Sequence, residues 1–139
     1  GHAKQNSIDI SIQVLSDSPI MIPEDELYQI VIKLVENGIK YNRPNGKLTI
    51  TLEARDDNSV LKVTDTGVGI PEDSLSQIFE RFYRVDKARS RKTGGSGLGL
   101  SIVRNMVERN GGEILVNSVI DKGTIFTVKF PVFDMEDET

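Results

Sequence analysis

The chain has 139 residues, 37% hydrophobic and 27% charged, with a formal charge of −4, which fits one water-soluble domain with a single core and argues against a dedicated nucleic-acid binder. It contains no cysteine, so a disulfide framework and a thiolate metal site are excluded. Its one histidine, His2, lies in an opening Gly1-His2 that reads as a remnant of expression, leaving no imidazole for a triad, a metal or a phosphohistidine.

IDISIQVL, residues 8–15, alternates apolar and polar and reads as a strand, and PIMI, 19–22, as a short second one. Pro23 opens EDELYQIVIKLVENGIKY, which has helical spacing and acids in its first turn, where the helix dipole favours them. NRPNG, 42–46, is a loop. KLTITLEARDD and SVLKVTD form an antiparallel hairpin around Asp57-Asn58. GVGIP breaks the pattern, and EDSLSQIFERFYRV reads as a short helix. DKARSRKTGGSG is polar, basic and glycine-rich, and is expected to be a mobile loop. LGLSIVRNMVERN is a second long helix, stopped by Gly111-Gly112. GEILVNSV and GTIFTVKFPVF close the domain as strands.

The expected fold is α+β: a two-layer sandwich whose mixed, mostly antiparallel sheet is covered on one face by helices. Residues 1–7 are expected to be remnant and flexible terminus, 8–133 the domain, and 134–139 an acidic tail. No apolar run approaches the ~20 residues that span a bilayer.

Three stretches carry possible chemistry. Period 2 puts Asp65 on the face of Leu61 and Val63, so an acid ends an apolar row. A carboxylate there needs donors. Two readings stand: an Asp that caps its own turn, or an acceptor for a ligand's exocyclic amine, with Gly67 and Gly69 admitting the ligand to the backbone. On the first helix, Leu27, Ile30, Val31 and Leu34 form one face, and Asn37 lies roughly 60° from its centre. Lys33 and Lys40 flank it. Asn37 reads either as a half-exposed polar residue or as an oxygen donor to a hydrated magnesium on phosphates. Arg81, Arg84, Lys87, Arg89, Arg91 and Lys92 form a local basic run, which is either a solvated face or a loop closing on polyphosphate. GGSGLGL, 94–100, is a flexible loop or a phosphate-approaching helix start. It does not supply GxGxxG with a small third residue, and GxxxxGK[ST] is absent.

Together these stretches resemble the ATP-binding catalytic domain of sensor histidine kinases, in the superfamily shared with gyrase, Hsp90 and MutL. ENGIKYN resembles the N box, DTGVGIP the first glycine box, FERFYRVD the F box, GGSGLGLSIV the second glycine box, and GTIF the final glycine-threonine element, in the family's order. The resemblance implies a Bergerat-type fold and ATP and Mg2+ as ligands. It also implies that Asp65 holds the adenine amine with Thr124 nearby, and that Gly67, Gly69 and Ile70 shape the adenine pocket. Asn37 would ligate magnesium, Lys40 and Arg84 would meet phosphates, and Tyr41 would pack near the nucleoside. Gly95, Gly97 and Gly99 would hinge an ATP lid, and backbone N–H groups around Gly97, Leu98 and Leu100 would cradle phosphate.

The implied reaction is transfer of the γ-phosphate to a histidine on a separate dimerisation hairpin domain of the parent protein, then to a response regulator. The parent would be membrane-anchored with this domain cytoplasmic, and the fragment alone would be a monomer. One position departs from the pattern. Where such kinases usually carry a second Asn, this chain has Lys33, which cannot ligate a metal while protonated. Lys33 therefore keeps a degenerate nucleotide-binding regulatory module open beside the histidine kinase, and an anti-sigma-factor-type Ser/Thr kinase, which shares the fold, stays open as well.

Overall fold

The computed structural model describes residues 7–16, 20–79 and 98–132. The elements run β1 (Asp9–Val14), α1 (Glu24–Lys40), β2 (Lys47–Arg55), β3 (Asn58–Asp65), α2 (Glu72–Leu75), α3 (Leu98–Arg109), β4 (Glu113–Val119) and β5 (Gly123–Pro131). The strands form one five-stranded sheet in the order β1-β2-β3-β5-β4. β1 and β2 are parallel and the other neighbours antiparallel. This is the expected mixed, mostly antiparallel sheet.

The helices lie on one face. Leu48 and Ile50 of β2, Leu61 and Val63 of β3, and Phe126, Val128 and Phe130 of β5 alternate toward that face. There they meet Ile30 and Leu34 of α1 and Val103, Met106 and Val107 of α3. Burial of this apolar surface is the main force holding the two layers together. Phe79 packs edge-on against Phe126, with centroids 6.3 Å apart at 74°.

α1 starts after Pro23 with Glu24, Asp25 and Glu26 in its first turn, as expected. α3 is followed by Gly111, whose φ is +80°. The Gly112 N–H returns to the Val107 carbonyl over 2.9 Å and satisfies one of the helix's last acceptors.

Three expectations are corrected. The hairpin turn is Asp56-Asp57, one residue earlier than expected. Both have positive φ, 51° and 65°, the geometry that a two-residue turn between twisted strands requires. Asn58 then pairs with Arg55 as the first residue of β3. Ile20, Met21 and Ile22 belong to no strand. Ile20 and Ile22 rest on the core while Met21 is exposed, so the alternation comes from packing without a ladder. The helix expected over 72–85 is α-helical only over Glu72–Leu75. Beyond it the Gln77 N–H bonds Ser74 O at 2.9 Å, an i to i+3 bond that tightens the turn. Ser74 and Ser76 are weak helix formers that favour such turns. The remainder of that stretch, the mobile-loop expectation and the terminal segments lie outside the described residues.

Candidate functional site

Sheet topology brings five chain segments to one end of the sandwich. β3 ends there and β5 begins there, because Asp65 pairs with Thr124. β2 begins there, because Leu48 pairs with Asp65. α1 feeds β2 through a short loop, so its C-terminus lies at the same end. α1 and α3 pack side by side. Glu26, in the first turn of α1, accepts from Arg109 and Asn110 at the end of α3, so the helices run in opposite senses. As many residues separate Glu26 from Asn37 as separate Arg109 from Leu98. At the common helical rise of about 1.5 Å per residue, the start of α3 is therefore level with Asn37.

Asp65 stands at the centre of this end. It is 7% exposed, on the helix-facing side with Leu61 and Val63 as its position predicted. The Gly67 N–H donates to its Oδ1 over 2.8 Å. Burial pushes its pKa above the ordinary carboxylate value, and bonds from the Gly67 and Thr124 backbone N–H groups only partly offset this. The turn-capping reading of Asp65 is therefore correct for Oδ1. Oδ2 faces α1 at Gly38, where a Cβ would come within 3.7 Å of it and within 2.6 Å of Leu48 Cδ1. The tight contact is with Leu48, so glycine at this position makes room for the Leu48 side chain beside the carboxylate.

The loop after Asp65 is held from both sides. The Val68 N–H donates to Tyr41 O over 3.1 Å, and the Asp121 N–H donates to Val68 O over 2.9 Å. A Cβ on Gly67 would lie 2.4 Å from Tyr41 O, and one on Gly69 2.4 Å from Val119 O. Gly69 also has φ of +78°. These glycines let the loop pack between the end of α1 and the β4–β5 turn. Arg43 and Asp121 span the same loop with an exposed ion pair at 3.1 Å.

Asn37 is half-buried near the end of α1, as its angle on the helix predicted, and Lys33 and Lys40 are half-buried beside it. The Lys40 Nζ sits 5.2 Å from the centroid of the Tyr41 ring, a cation–π contact. Thr124 is buried. Leu100 is half-buried and packs on the core. Leu98 and Gly99 open α3, whose first turn carries no acid. Arg84, Gly95 and Gly97 lie outside the described residues. The structure thus gathers Asn37, Lys40, Tyr41, Asp65, Gly67, Gly69, Ile70 and Thr124 at one end, with the start of α3.

Two residues of this end escaped the sequence reading. Asn42, 7% exposed, donates through Nδ2 to Lys47 O at 2.9 Å. Its Oδ1 accepts from Arg43 N at 2.8 Å and from the Thr66 hydroxyl at 3.2 Å. It ties α1, β2 and the post-β3 loop together. Ser118 accepts from Ile70 N at 2.7 Å and lies 2.8 Å from Thr124 Oγ1. The signal for Ser118 was present: it ends the apolar row Ile114, Val116 on β4, as Asp65 ends that of β3.

Residues 22–134 match the family described as Histidine kinase-, DNA gyrase B-, and HSP90-like ATPase. The Sensor histidine kinase RppB of Synechocystis sp. is 43% identical over 112 residues, which is 81% of this chain and 25% of that protein. The chain spans a quarter or less of the length of the relatives it matches first. Among solved structures, the catalytic domain of histidine kinase ThkA aligns with a TM-score of 0.78 at 29% identity, covering 93% of this chain and 82% of that one. ThkA has also been solved in complex with the response regulator protein TrrA. Full-length ShkA in complex with AMPPNP aligns with a TM-score of 0.79 at 32% identity, covering 94% of this chain and 27% of that one. The pairing of Asp65 with Thr124, the glycine loop clamped beneath α1 and these likenesses agree, and the chain belongs to the Histidine kinase-, DNA gyrase B-, and HSP90-like ATPase family, as an ATP-binding catalytic domain of the sensor histidine kinase type.

Proposed function

We propose that this domain binds ATP with magnesium and presents the γ-phosphate to a histidine on a helical hairpin domain of its parent protein. The observation that carries the proposal is Asp65. A buried carboxylate with raised pKa has one oxygen held by its own loop and the other facing α1 at Gly38, which carries no side chain. Such an acceptor suits the exocyclic amine of adenine. Thr124, beside it in register, supplies a second polar atom. Gly67, Gly69 and Ile70 line the base, and Tyr41 packs near the nucleoside.

The phosphates then lie toward α3. Its N-terminal N–H groups, at Leu98, Gly99 and Leu100, aim partial positive charge at them. Lys40 and Arg84 add cationic charge. Among the described residues no cluster of His, Cys, Asp and Glu could hold a metal alone. Asn37 offers one neutral oxygen, so phosphate and water would supply the remaining ligands. Magnesium, when bound, neutralises phosphate charge. The acceptor nitrogen attacks the γ-phosphorus, a P–N bond forms, the P–O bond to ADP breaks, and ADP leaves. The chain's part is positioning and charge complementarity.

By likeness to its relatives, a response regulator receives the phosphoryl group next, and a membrane-anchored parent carries this domain on its cytoplasmic side. The hairpin would bring dimerisation, leaving this domain a monomer. No helix among the described residues is long and apolar enough to cross a membrane. Lys33 supports a second reading, a nucleotide-sensing module without transfer. The test is incubation with radiolabelled ATP and a supplied hairpin domain. Acid-labile label on the hairpin histidine, and none on this chain, is expected. Acid-stable label on a hydroxyl would contradict the proposal, and binding without transfer would favour the sensing module.

A further inference from the structure

The geometry points to Ser118 as a specificity-determining positioning residue, which fixes the Thr124 hydroxyl as an acceptor and so selects a base that donates hydrogen there. The inference rests on the nucleotide reading of the Asp65 end.

The hydroxyl of Ser118 has three neighbours. Ile70 N, at 2.7 Å, can only donate. Gly123 O, at 2.9 Å, can only accept. Thr124 Oγ1, at 2.8 Å, could do either. A serine hydroxyl has one proton and two lone pairs. Its proton goes to Gly123 O, because nothing else can complete that bond. One lone pair takes the Ile70 N–H. The contact with Thr124 is then filled only if Thr124 donates to the remaining lone pair. All of Ser118's capacity is used, and the direction of every bond follows.

The Thr124 proton is therefore committed away from the pocket, and Oγ1 keeps its lone pairs for a ligand or a bridging water. Thr124 pairs directly with Asp65 on the helix-facing side of the sheet, where opposite residues stand close. The ionised Asp65 carboxylate is also an acceptor. The site end thus offers two acceptors and no competing hydroxyl proton. An amino group with two hydrogens satisfies both. A carbonyl oxygen at the same place, as in guanine, meets lone pairs on both sides. Discrimination of this kind comes from polar groups left unpaired by the wrong ligand. Ser118 touches no base and acts through Thr124.

The test is the ratio of GTP to ATP dissociation constants for the whole chain, measured by calorimetry. Ser118→Ala frees the Thr124 hydroxyl to turn and donate. The preference for ATP should fall about fivefold, the equivalent of one ordinary hydrogen bond. Ser118→Thr keeps the hydroxyl and should keep the preference. In a Thr124→Val background Ser118→Ala should leave the ratio unchanged, because the group it acts through is gone. If Ser118→Ala weakens both nucleotides equally, Ser118 only supports the Ile70 loop and the inference is wrong. If the ratio moves equally in the Thr124→Val background, the relay through Thr124 is wrong. If the unmodified chain binds neither nucleotide, the reading of the site fails before the role of Ser118 arises.

Discussion

The Gly67 N–H donates to Asp65 Oδ1 over 2.8 Å, and this bond fixes which way a buried carboxylate faces. One oxygen is satisfied within the loop, and the other is left toward α1. The same environment that favours a ligand's donor makes the charge costly in its absence.

The pH dependence of Asp65 follows from the direction of its shift. Its folded-state pKa lies above its unfolded value because burial disfavours the charge. Between those two values the folded state holds the proton more often, so stability rises as pH falls through that window and is unchanged below it. Above the raised pKa the penalty is constant. Denaturant unfolding of the unliganded chain and of Asp65→Asn across pH should show the parent chain gaining on the variant as pH is lowered from neutral. A parallel pair of curves would contradict the burial argument.

Glu26 should behave oppositely. The Arg109 guanidinium, and then Asn110, hold its pKa below the ordinary carboxylate value. That contribution is fully present above the unfolded pKa and is lost as pH falls through the folded one. Glu26→Gln should be less stable than the parent at neutral pH, the difference should shrink with added salt, and it should vanish in strong acid. Thermal melts at neutral and strongly acidic pH would read this directly.

Two glycines separate crowding from backbone strain. At Gly67 a Cβ would meet Tyr41 O at 2.4 Å, and backbone cannot easily yield. Gly111 has open space around it, and only its φ of +80° opposes a side chain. Gly67→Ala should cost about 2–3 kcal/mol, near the upper end for overpacking. Gly111→Ala should cost about 1 kcal/mol, the price of a left-handed residue. Equal denaturation midpoints for the two variants would remove the clamped-loop account.

Asn42 is expected to matter for stability although it touches no proposed ligand. Asn42→Ala removes its bonds to Lys47 O, Arg43 N and the Thr66 hydroxyl in a buried position. Leaving buried polar groups unpaired costs about 1–3 kcal/mol each. Asn42→Asp keeps an acceptor for Arg43 N but loses the donor to Lys47 O. It should therefore also be destabilised at neutral pH. Urea unfolding of both variants checks the network.

Sequence made the helix faces and the position of Asp65 legible, because hydrophobic period survives into packing. Ile30 and Leu34 face the core, Asn37 lies at its margin, and Asp65 ends the row of Leu61 and Val63, all as the spacing implied. The hairpin turn was misplaced by one residue because Asp56, Asp57 and Asn58 all tolerate positive φ. Strand pairing, which no local window contains, chose between them. Ile20 and Ile22 mimicked a strand because packing on a core can produce the same alternation. Ser118 was overlooked because its partners, Ile70 and Thr124, come from separate parts of the chain. Its role appears only once β4 and β5 are paired.

In the proposed function, Asp65 anchors a nucleotide at this end of the sheet. Calorimetric titration of the chain with ATP, with and without magnesium and with Asp65→Asn as comparison, tests it most directly. Binding should strengthen with magnesium and fall at least about tenfold in the variant, as expected for loss of a hydrogen bond to a charged group. ATP binding of equal strength in the parent chain and Asp65→Asn would contradict it.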